Sequence, residues 1–296
     1  MRRLKRVALV GVGLIGGSFA AALRRAGAVG TIVGVDRNAQ AVERATALGV
    51  IDTAAESVSE ATTGADLVIV AVPVRAVAAV LHDVALALDQ GAVVTDVGST
   101  KEEVTRSARE ELRALFPRFV PGHPIAGREA SGVDAATPDL FKGARVVLTP
   151  VAETAPDAIE LVRDCWEAAG GRVALLDAST HDRIFAAVSH LPHLLSFALV
   201  SELGSRANAS ELFGFAAGGF RDFTRIAASS PEMWRDVALQ NRTALLAELD
   251  NYCARLAVFR ELVDRADGPG LQRLMAEARA SRQALGPGPR RGSSSE

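Results

Sequence analysis

A glycine turn between an apolar strand and an apolar helix constrains this chain more than any other feature. Val7–Val10 leads directly into the sequence GVGLIG. In a strand–turn–helix context, the first glycine permits the tight turn, the second lets a pyrophosphate approach the backbone, and the third permits close packing of helix on strand. The N–H groups at the helix start then hold the phosphates. The predicted phosphate-binding residues are Gly11, Gly13, Leu14, Ile15 and Gly16.

The end of the second predicted strand carries the residue expected to select the dinucleotide. Asp36 follows this strand, where a carboxylate accepts hydrogen bonds from the adenosine ribose and repels a 2′-phosphate. Arg37 leaves NADP open, because an arginine there can also meet a phosphate. We predict NAD, with Val72 and Pro73 beside it at the end of the fourth strand. The alternative is a turn that binds no nucleotide, with Asp36 capping a helix and Pro73 starting one.

Short apolar runs alternate with alanine-rich amphipathic segments over the first 177 residues. Such alternation is typical of βαβ units and predicts an α/β fold, a Rossmann-type doubly wound parallel sheet. The predicted strands are Val7–Val10, Thr31–Val35, Leu67–Val72, Ala92–Thr95, Phe119–Pro121, Arg145–Leu148 and Arg172–Leu176. The predicted helices are Ile15–Ala26, Ala39–Leu48, Val74–Ala87, Lys101–Leu115 and Ala155–Ala169.

After residue 177 the strand pattern ends and the sequence predicts an all-helical C-terminal dimerisation domain. The predicted helices are Thr180–Val188, Pro192–Leu203, Pro231–Phe259 and Gly270–Leu285. Apolar residues at helical spacing in such a half favour packing against a second copy, so we predict a homodimer. We therefore predict an NAD-binding domain over 1–177 and a helical substrate and dimerisation domain over 178–285. The Gly-, Pro- and Ser-rich tail 286–296 is predicted to be disordered.

Composition and charge exclude several classes of partner. A net charge of -2 gives no electrostatic footprint for nucleic acid. The apolar run after the basic start stops at Gly11, and we expect no window that approaches the roughly 20 apolar residues of a membrane span. Cys165 and Cys253 have no metal-ligand spacing and predict free, buried thiols. We expect a cytoplasmic protein that acts on a small molecule, without nucleic acid or membrane.

Polar residues interrupt the chain in four further places. They supply a hydroxyl, imidazoles and guanidinium groups, which suit proton removal and carboxylate binding. Together with the glycine turn, they predict an NAD-dependent enzyme that acts on a small anionic substrate. These islands are Asp96-Val97-Gly98-Ser99, His123-Pro124, Ser189-His190-Leu191-Pro192-His193 and Arg221-Asp222-Phe223-Thr224-Arg225.

In this order the islands resemble those of the prephenate/arogenate dehydrogenase family of tyrosine biosynthesis. The resemblance is carried by GLIGGS at 13–18, DVGSTK at 96–101, HPIAG at 123–127, SHLPH at 189–193, GGFRDFTRIA at 218–227 and Trp234. It implies oxidative decarboxylation of a cyclohexadienyl acid. A hydride passes from the ring carbon that bears the hydroxyl to NAD, the ring carboxylate leaves as carbon dioxide, and a phenol results. Prephenate and arogenate both remain open as substrates.

The resemblance implies catalytic roles for two residues. His123 matches the histidine that takes the proton of the ring hydroxyl, a task that suits an imidazole because its pKa lies near neutrality. Ser99 matches a hydrogen-bond partner of His123 and of that hydroxyl. The alternative for Ser99 is to cap the following helix, since Glu102 stands at capping-box spacing. Lys101 has two open interpretations, a residue near the site and a solvated lysine of the first helical turn.

Arg225 is the residue that the resemblance implies for the substrate carboxylate. A guanidinium grips a carboxylate with two parallel hydrogen bonds, which fixes orientation as well as charge. The alternative is a salt bridge to Asp222. Arg128 departs from the family pattern, which often has a small hydroxyl residue there. A second cation at this position either binds the side-chain carboxylate or points to solvent, so recognition of the substrate's side chain stays open.

The SHLPH island and the helical half supply the other substrate-binding candidates. His193 matches a position that contacts the substrate, and Ser189 is a further candidate. Gly218 and Trp234 are expected nearby, with a place in the helical core as the alternative for Trp234. His190 and His193 invite interpretation as metal ligands, but they lack a third ligand and Pro192 suits a helix start, so we predict no metal.

Two other function classes remain as alternatives. One is another two-domain NAD(P)-dependent oxidoreductase that acts on a small carboxylate. A β-hydroxyacid dehydrogenase of that kind would need a catalytic lysine, and residues 180–260 contain none. The other is an NAD-binding sensor without turnover, which would have no need to keep Ser99, His123 and Arg225 together.

Overall fold

The computed structural model describes residues 3–128 and 130–286. It contains two compact units, Met1–Arg242 and Thr243–Glu296. The predicted domain boundary at 177–178 falls inside the first unit and stays a prediction. Of the tail predicted to be disordered, residues 287–296 lie outside the described residues.

The first unit is built on a six-stranded parallel sheet in the order β3-β2-β1-β4-β5-β6. Apolar strands of this kind are buried on both faces. One face packs on Phe19 and Trp166, and the other on Leu81 and Val104, so the doubly wound fold is confirmed. The strands are β1 (Leu4–Val10), β2 (Val29–Val35), β3 (Thr53–Ala54), β4 (Leu67–Val70), β5 (Val93–Asp96) and β6 (Phe119–Val120). The helices are α1 (Leu14–Arg25), α2 (Ala39–Ala47), α3 (Val58–Thr62), α4 (Val77–Ala85), α5 (Glu102–Leu112) and α6 (Pro156–Ala168).

A second, three-stranded sheet follows, which the sequence pattern did not separate from the first. It contains β7 (Gly122–Pro124), β8 (Arg145–Leu148) and β9 (Arg172–Leu175), with β7 antiparallel to β8. Pro121 has no N–H group for the first sheet, and the next N–H, that of Gly122, bonds to the Asp96 carboxylate at 3.0 Å. The chain therefore leaves the first sheet immediately before His123.

Five further helices complete the first unit: α7 (Ala178–Phe185), α8 (Leu191–Gly204), α9 (Ala209–Gly214), α10 (Gly218–Thr224) and α11 (Pro231–Gln240). A π-helical turn, Ala186–His190, joins α7 to α8. Pro192 lies in the first turn of α8 and does not interrupt the helix.

The continuous helix Ala178–Gly204 is long and apolar enough to cross a membrane by length and composition alone. The expectation that no window approaches a membrane span was wrong, because the two predicted helices Thr180–Val188 and Pro192–Leu203 form one continuous helix. The same helix carries the buried polar side chains of His181, Asp182 and His190, which are costly in a lipid-facing span. The prediction that the protein has no membrane partner stays a prediction.

The second unit consists of most of α12 (Arg242–Asp264) and of α13 (Gly268–Ala284). Asp267 caps α13 by accepting a hydrogen bond from the Gly270 N–H at 2.9 Å. Cys253 is a free, exposed thiol on α12, whereas Cys165 of the first unit is free and buried. Only Cys165 matches the expectation of buried thiols. Exposed apolar side chains line this unit at Leu246, Leu256, Val258, Val263 and Met275.

Candidate active site

The glycine turn after β1 has the geometry that a dinucleotide site requires. Gly11 has a φ of +95°, and a Cβ atom there would overlap the carbonyl of Ala71. A Cβ atom on Gly16 would overlap the carbonyl of Gly11, so helix and strand pack as closely as the motif predicts. A Cβ atom on Gly13 would meet no atom within 4 Å among the described residues. The backbone at Gly13 is therefore accessible to a pyrophosphate.

Helix α1 begins at this turn without a side-chain cap. Gly13 occupies the N-cap position, and within the described part of the chain no side chain bonds the first N–H groups. Leu14 and Ile15 are only partly buried. The first N–H groups of a helix have no acceptor inside it, and the helix dipole favours an anion there. This uncapped helix start fits the phosphates of a dinucleotide.

Asp36 is held rigidly at the end of β2. One carboxylate oxygen accepts from the Val12 N–H at 3.0 Å and the other from the Asn38 N–H at 2.9 Å. The cap of α2 is the Asn38 side chain, so the alternative role of Asp36 as a helix cap is wrong. Each Asp36 oxygen keeps a second lone pair for a ribose hydroxyl. Arg37 beside it is exposed.

Val72 and Pro73 follow β4 next to the glycine turn. The Val72 side chain lies 3.2 Å from the position that a Gly11 Cβ would take. Pro73 is exposed and precedes the 3-10 turn Val74–Ala76, so it also fits its alternative role as the start of a helical segment. The two residues thus border the predicted cofactor site.

His123 lies on β7 in a cluster of aromatic and ionisable side chains. Its Nδ1 is 2.8 Å from Nε2 of His181, and the His181 Nδ1 is 2.7 Å from a carboxylate oxygen of Asp182. The Phe185 ring lies 4.9 Å from the His123 ring, measured between centroids. Burial, then His181, then Lys101 hold the pKa of His123 well below its ordinary value. His123 is therefore a neutral imidazole at neutral pH.

Lys101 is fully buried, so its interpretation as a solvated lysine is wrong. Its Nζ donates to the Asp96 carboxylate and, at 2.7 Å, to the carbonyl of Gly122. Asp96 also accepts from the N–H of Gly98 at 2.7 Å. Burial lowers the pKa of Lys101, and Asp96 opposes that shift. This ion pair ties the end of β5 to the residue that precedes His123.

Ser99 lies in the partly exposed loop between β5 and α5. It does not cap α5, because the N-cap residue is Lys101 and the acceptor is the Asp182 carboxylate. Asp182 accepts from the N–H of Lys101 at 2.8 Å and from that of Glu102 at 3.0 Å. The capping-box alternative for Ser99 is therefore wrong, and its catalytic role stays a prediction.

Asn241 joins this cluster from the break between α11 and α12, within what the sequence predicted as one helix. Its side-chain amide donates to the carbonyl of Asp182 at 2.7 Å and to Nδ1 of His190 at 3.0 Å. Burial lowers the pKa of His190 to about 4, so this ring is neutral. Sequence reasoning missed His181, Asp182 and Asn241. The signal for Asn241 was an asparagine in the interior of a predicted helix, where its propensity is poor.

A second cluster surrounds His193. Its ring stacks on Trp234 with centroids 3.6 Å apart, and its Nδ1 donates to the carbonyl of Ser189 at 2.9 Å. Trp234 is partly exposed rather than core, and among the described residues its buried Nε1 has no hydrogen-bond partner. Burial, opposed by Ser189 and assisted by the charge of Arg225, lowers the pKa of His193. Arg225 therefore lies near this ring, while Gly218 starts α10 with open space around it.

His190 connects the two clusters, since its ring centroid lies 6.0 Å from that of Trp234 and Asn241 joins it to Asp182. Over the described ranges, no group of three His, Cys, Asp or Glu side chains is placed to hold a metal ion. The prediction that the protein holds no metal stays a prediction. Arg128 lies on an exposed loop after β7, and its role also stays a prediction.

Comparison with known proteins decides the family. Residues 19–175 match the family described as prephenate dehydrogenase, nucleotide-binding domain, and residues 177–277 match its dimerization domain. The chain belongs to the prephenate dehydrogenase family. The resemblance drawn from the motifs is thereby confirmed. The first match begins after the glycine turn, so the geometry of that turn is separate support.

Three relatives illustrate the similarity. The cyclohexadienyl dehydrogenase of Zymomonas mobilis is 37% identical over 96% of this chain and 97% of its own length. Prephenate dehydrogenase from Aquifex aeolicus, solved with hydroxyphenyl propionate and NAD+, is 37% identical with a TM-score of 0.89, covering 95% of this chain and 98% of that one. The arogenate dehydrogenase of Synechocystis is 31% identical with a TM-score of 0.79, covering 95% and 99%.

Proposed function

We propose that this chain catalyses the NAD-dependent oxidative decarboxylation of prephenate, to 4-hydroxyphenylpyruvate, or of arogenate, to tyrosine. The observation that carries the proposal is His123, a neutral imidazole held by a side-chain network just beyond the carboxyl end of a dinucleotide-binding sheet. Family membership and the names of the relatives support the same reaction. The chain is thus an NAD-dependent dehydrogenase of tyrosine biosynthesis.

The residues around the glycine turn fit NAD. The uncapped start of α1 would hold the phosphates at Gly11, Gly13, Leu14, Ile15 and Gly16. Asp36 would accept hydrogen bonds from the ribose, with Arg37, Val72 and Pro73 bordering the site. Bound NAD would supply the acceptor for the hydride that leaves the ring carbon carrying the hydroxyl.

His123 is the proposed general base. A neutral imidazole accepts the proton of the ring hydroxyl as the hydride departs, and Ser99 is its proposed hydrogen-bond partner. The electrons of the bond to the leaving carboxylate then complete the aromatic ring and pass to the ring oxygen, which takes the proton back from His123 to give the phenol. Aromatisation makes the reaction strongly downhill, so the protein's main tasks are placement and proton removal.

The cluster around His193 is the proposed carboxylate and ring site. Arg225 supplies the cation for the carboxylate, and the partly exposed Trp234 ring, stacked on His193, borders the site. His193 carries its hydrogen on Nδ1, which leaves Nε2 to accept one from the substrate. Ser189, Gly218 and Arg128 are proposed as further contacts, with Arg128 directed at the side chain.

We also propose that the chain forms a homodimer in the cytoplasm. The matched dimerization domain covers the apolar helix Ala178–Gly204, of whose apolar window only 28% is buried in the single chain. The relatives are bacterial metabolic enzymes, which supports a cytoplasmic location. We keep an NAD-binding domain over 1–177 and a substrate and dimerisation domain over 178–285 as the proposed functional division.

The test is reduced-nicotinamide formation by the purified protein with prephenate and arogenate offered in parallel, each with NAD and with NADP. We expect turnover with at least one of the two acids and a preference for NAD, because Asp36 repels a 2′-phosphate. The ratio of kcat/KM for prephenate to that for arogenate then tells which substrate side chain, keto or amino acid, the enzyme prefers. Measurable NAD binding without turnover of either acid would contradict the proposal.

A further inference from the structure

We propose that His181 is a positioning residue that, backed by Asp182, fixes which ring nitrogen of His123 carries the hydrogen. The inference rests on the proposed function in one respect: the step that His181 assists is the transfer of the substrate's hydroxyl proton to His123. It concerns a chain of three side chains, Asp182, His181 and His123, drawn from β7 and α7.

Asp182 anchors the chain of hydrogen bonds as an acceptor. One carboxylate oxygen accepts from the N–H of Lys101 at 2.8 Å and the other from the N–H of Glu102 at 3.0 Å. Both oxygens therefore act as acceptors, and a carboxylate has no hydrogen to give. The His181 Nδ1, 2.7 Å away, must therefore carry the hydrogen and donate it to Asp182.

The tautomer of His181 then determines that of His123. A neutral imidazole with its hydrogen on Nδ1 has only a lone pair on Nε2. The 2.8 Å contact with His123 is consequently a hydrogen bond from the His123 Nδ1–H to the His181 Nε2. His123 is left with an unprotonated Nε2, the nitrogen that can take the proton of a substrate hydroxyl.

Other charges around these rings act on the same groups. Burial lowers the pKa of His181, Asp182 and Asp96 oppose that shift, and the charge of Lys101 adds to it. Burial lowers the pKa of His123 in the same way, and Lys101 adds to that shift as well. When His123 takes a proton, its Nδ1–H remains directed at His181, and the Asp182 carboxylate faces the new positive charge through that ring.

Two variants of His181 separate positioning from mere packing. His181→Leu removes the acceptor while keeping an apolar body, and we expect kcat to fall roughly 10- to 100-fold with little change in substrate KM or NAD affinity. His181→Gln keeps an amide oxygen that can accept from His123, so we expect it to recover most of that loss. His82→Gln, at an exposed histidine on α4, is the matched control and should leave kcat unchanged.

Nitrogen-15 NMR of the five histidines reads the tautomer without any turnover. His123 is assigned as the signal that disappears in His123→Asn. In the wild-type protein at pH 8 we expect His123 protonated on Nδ1 and not on Nε2, and we expect His181→Leu to lose this preference. If the wild-type His123 carries its hydrogen on Nε2, or if His181→Leu keeps both the tautomer and full kcat, the proposal is overturned.

The NMR measurement on the wild-type protein decides the matter even if His181→Leu does not fold. It is also independent of the proposed reaction. A protein that turns over neither acid but shows Nδ1-protonated His123 would contradict the proposed function while supporting the positioning role.

Discussion

The cofactor turn and the histidine cluster are built in opposite ways. The turn is one contiguous stretch of backbone with small or missing side chains, and Asp36, 24 residues from Val12, accepts from the Val12 N–H. The cluster consists of side chains brought together over long distances in sequence. His123 and His181 are 58 residues apart, and Asn241 bonds to Asp182 across 59.

This difference determines where each region is vulnerable. An added Cβ atom at Gly11 overlaps neighbouring backbone and displaces the N–H groups that are proposed to hold a phosphate, so we expect cofactor binding to suffer more than kcat. A side-chain network fails when one acceptor or donor is removed, because a buried partner is then left unsatisfied. Substitutions in the two regions should therefore separate NAD affinity from kcat.

The largest effect is expected for His123→Asn. Loss of the general base should lower kcat by about 10²- to 10⁴-fold while NAD affinity stays nearly intact. Steady-state kinetics and a fluorescence titration with NAD check the two quantities, with His82→Asn as the exposed control. An unchanged kcat would show that His123 is not the general base. The expected contrast between a region that controls NAD affinity and one that controls kcat would then fail.

Gly11→Ala should show the reverse pattern. The φ of +95° and the overlap with the Ala71 carbonyl force the turn to shift, so we expect the unfolding free energy to fall by about 3 kcal/mol and NAD affinity to weaken about 100-fold. Gly27→Ala is the matched control, since Gly27 also has a positive φ but open space around a Cβ atom. It should cost only about 1 kcal/mol of unfolding free energy and leave NAD affinity unchanged. Equal NAD affinities for the two variants would argue against a site at this turn.

Arg225→Gln should affect the substrate and spare the cofactor. Losing a charged hydrogen-bond partner of a carboxylate predicts a rise in substrate KM of roughly 10- to 100-fold, with NAD affinity unchanged. The control is Arg206→Gln, an exposed arginine paired with Glu202 on the same helical half. If KM does not move in Arg225→Gln, carboxylate recognition lies elsewhere.

The smallest effect concerns pH and stability. The pKa of His190 is about 4 in the folded chain and near 6.5 when unfolded, so between these values the unfolded state binds more protons. The unfolding free energy should therefore fall as the pH drops from 7 to 5, and His190→Asn should reduce that fall by about 1 to 2 kcal/mol. Urea unfolding at both pH values checks it. Parallel pH profiles for wild type and variant would show that His190 is not held neutral by burial.

The contrast also explains how much was predictable from sequence. The strand at Val7–Val10, the glycine turn and Asp36 follow from local chemistry, and the structure places them where the pattern predicts. The strand Arg145–Leu148 also forms, but in the second sheet, which the pattern did not separate from the first. Apolar periodicity did not show that Asn241 ends a helix to reach His190, because that bond depends on a distant partner.

Two further residues were missed or misassigned for the same reason. Asp182 caps a helix that begins about 80 residues earlier, and no local spacing reveals such a contact. Lys101 suits a solvated first helical turn by propensity, yet Asp96 and the Gly122 carbonyl bind it inside the fold. Tertiary contacts override local preference at both positions.

The most direct test of the proposed reaction is its stoichiometry in a single reaction of the wild-type protein. With the preferred acid and NAD, the proposal predicts equal amounts of carbon dioxide, reduced nicotinamide and phenolic product. Reduced nicotinamide without carbon dioxide would identify an ordinary hydroxy-acid oxidation and contradict oxidative decarboxylation.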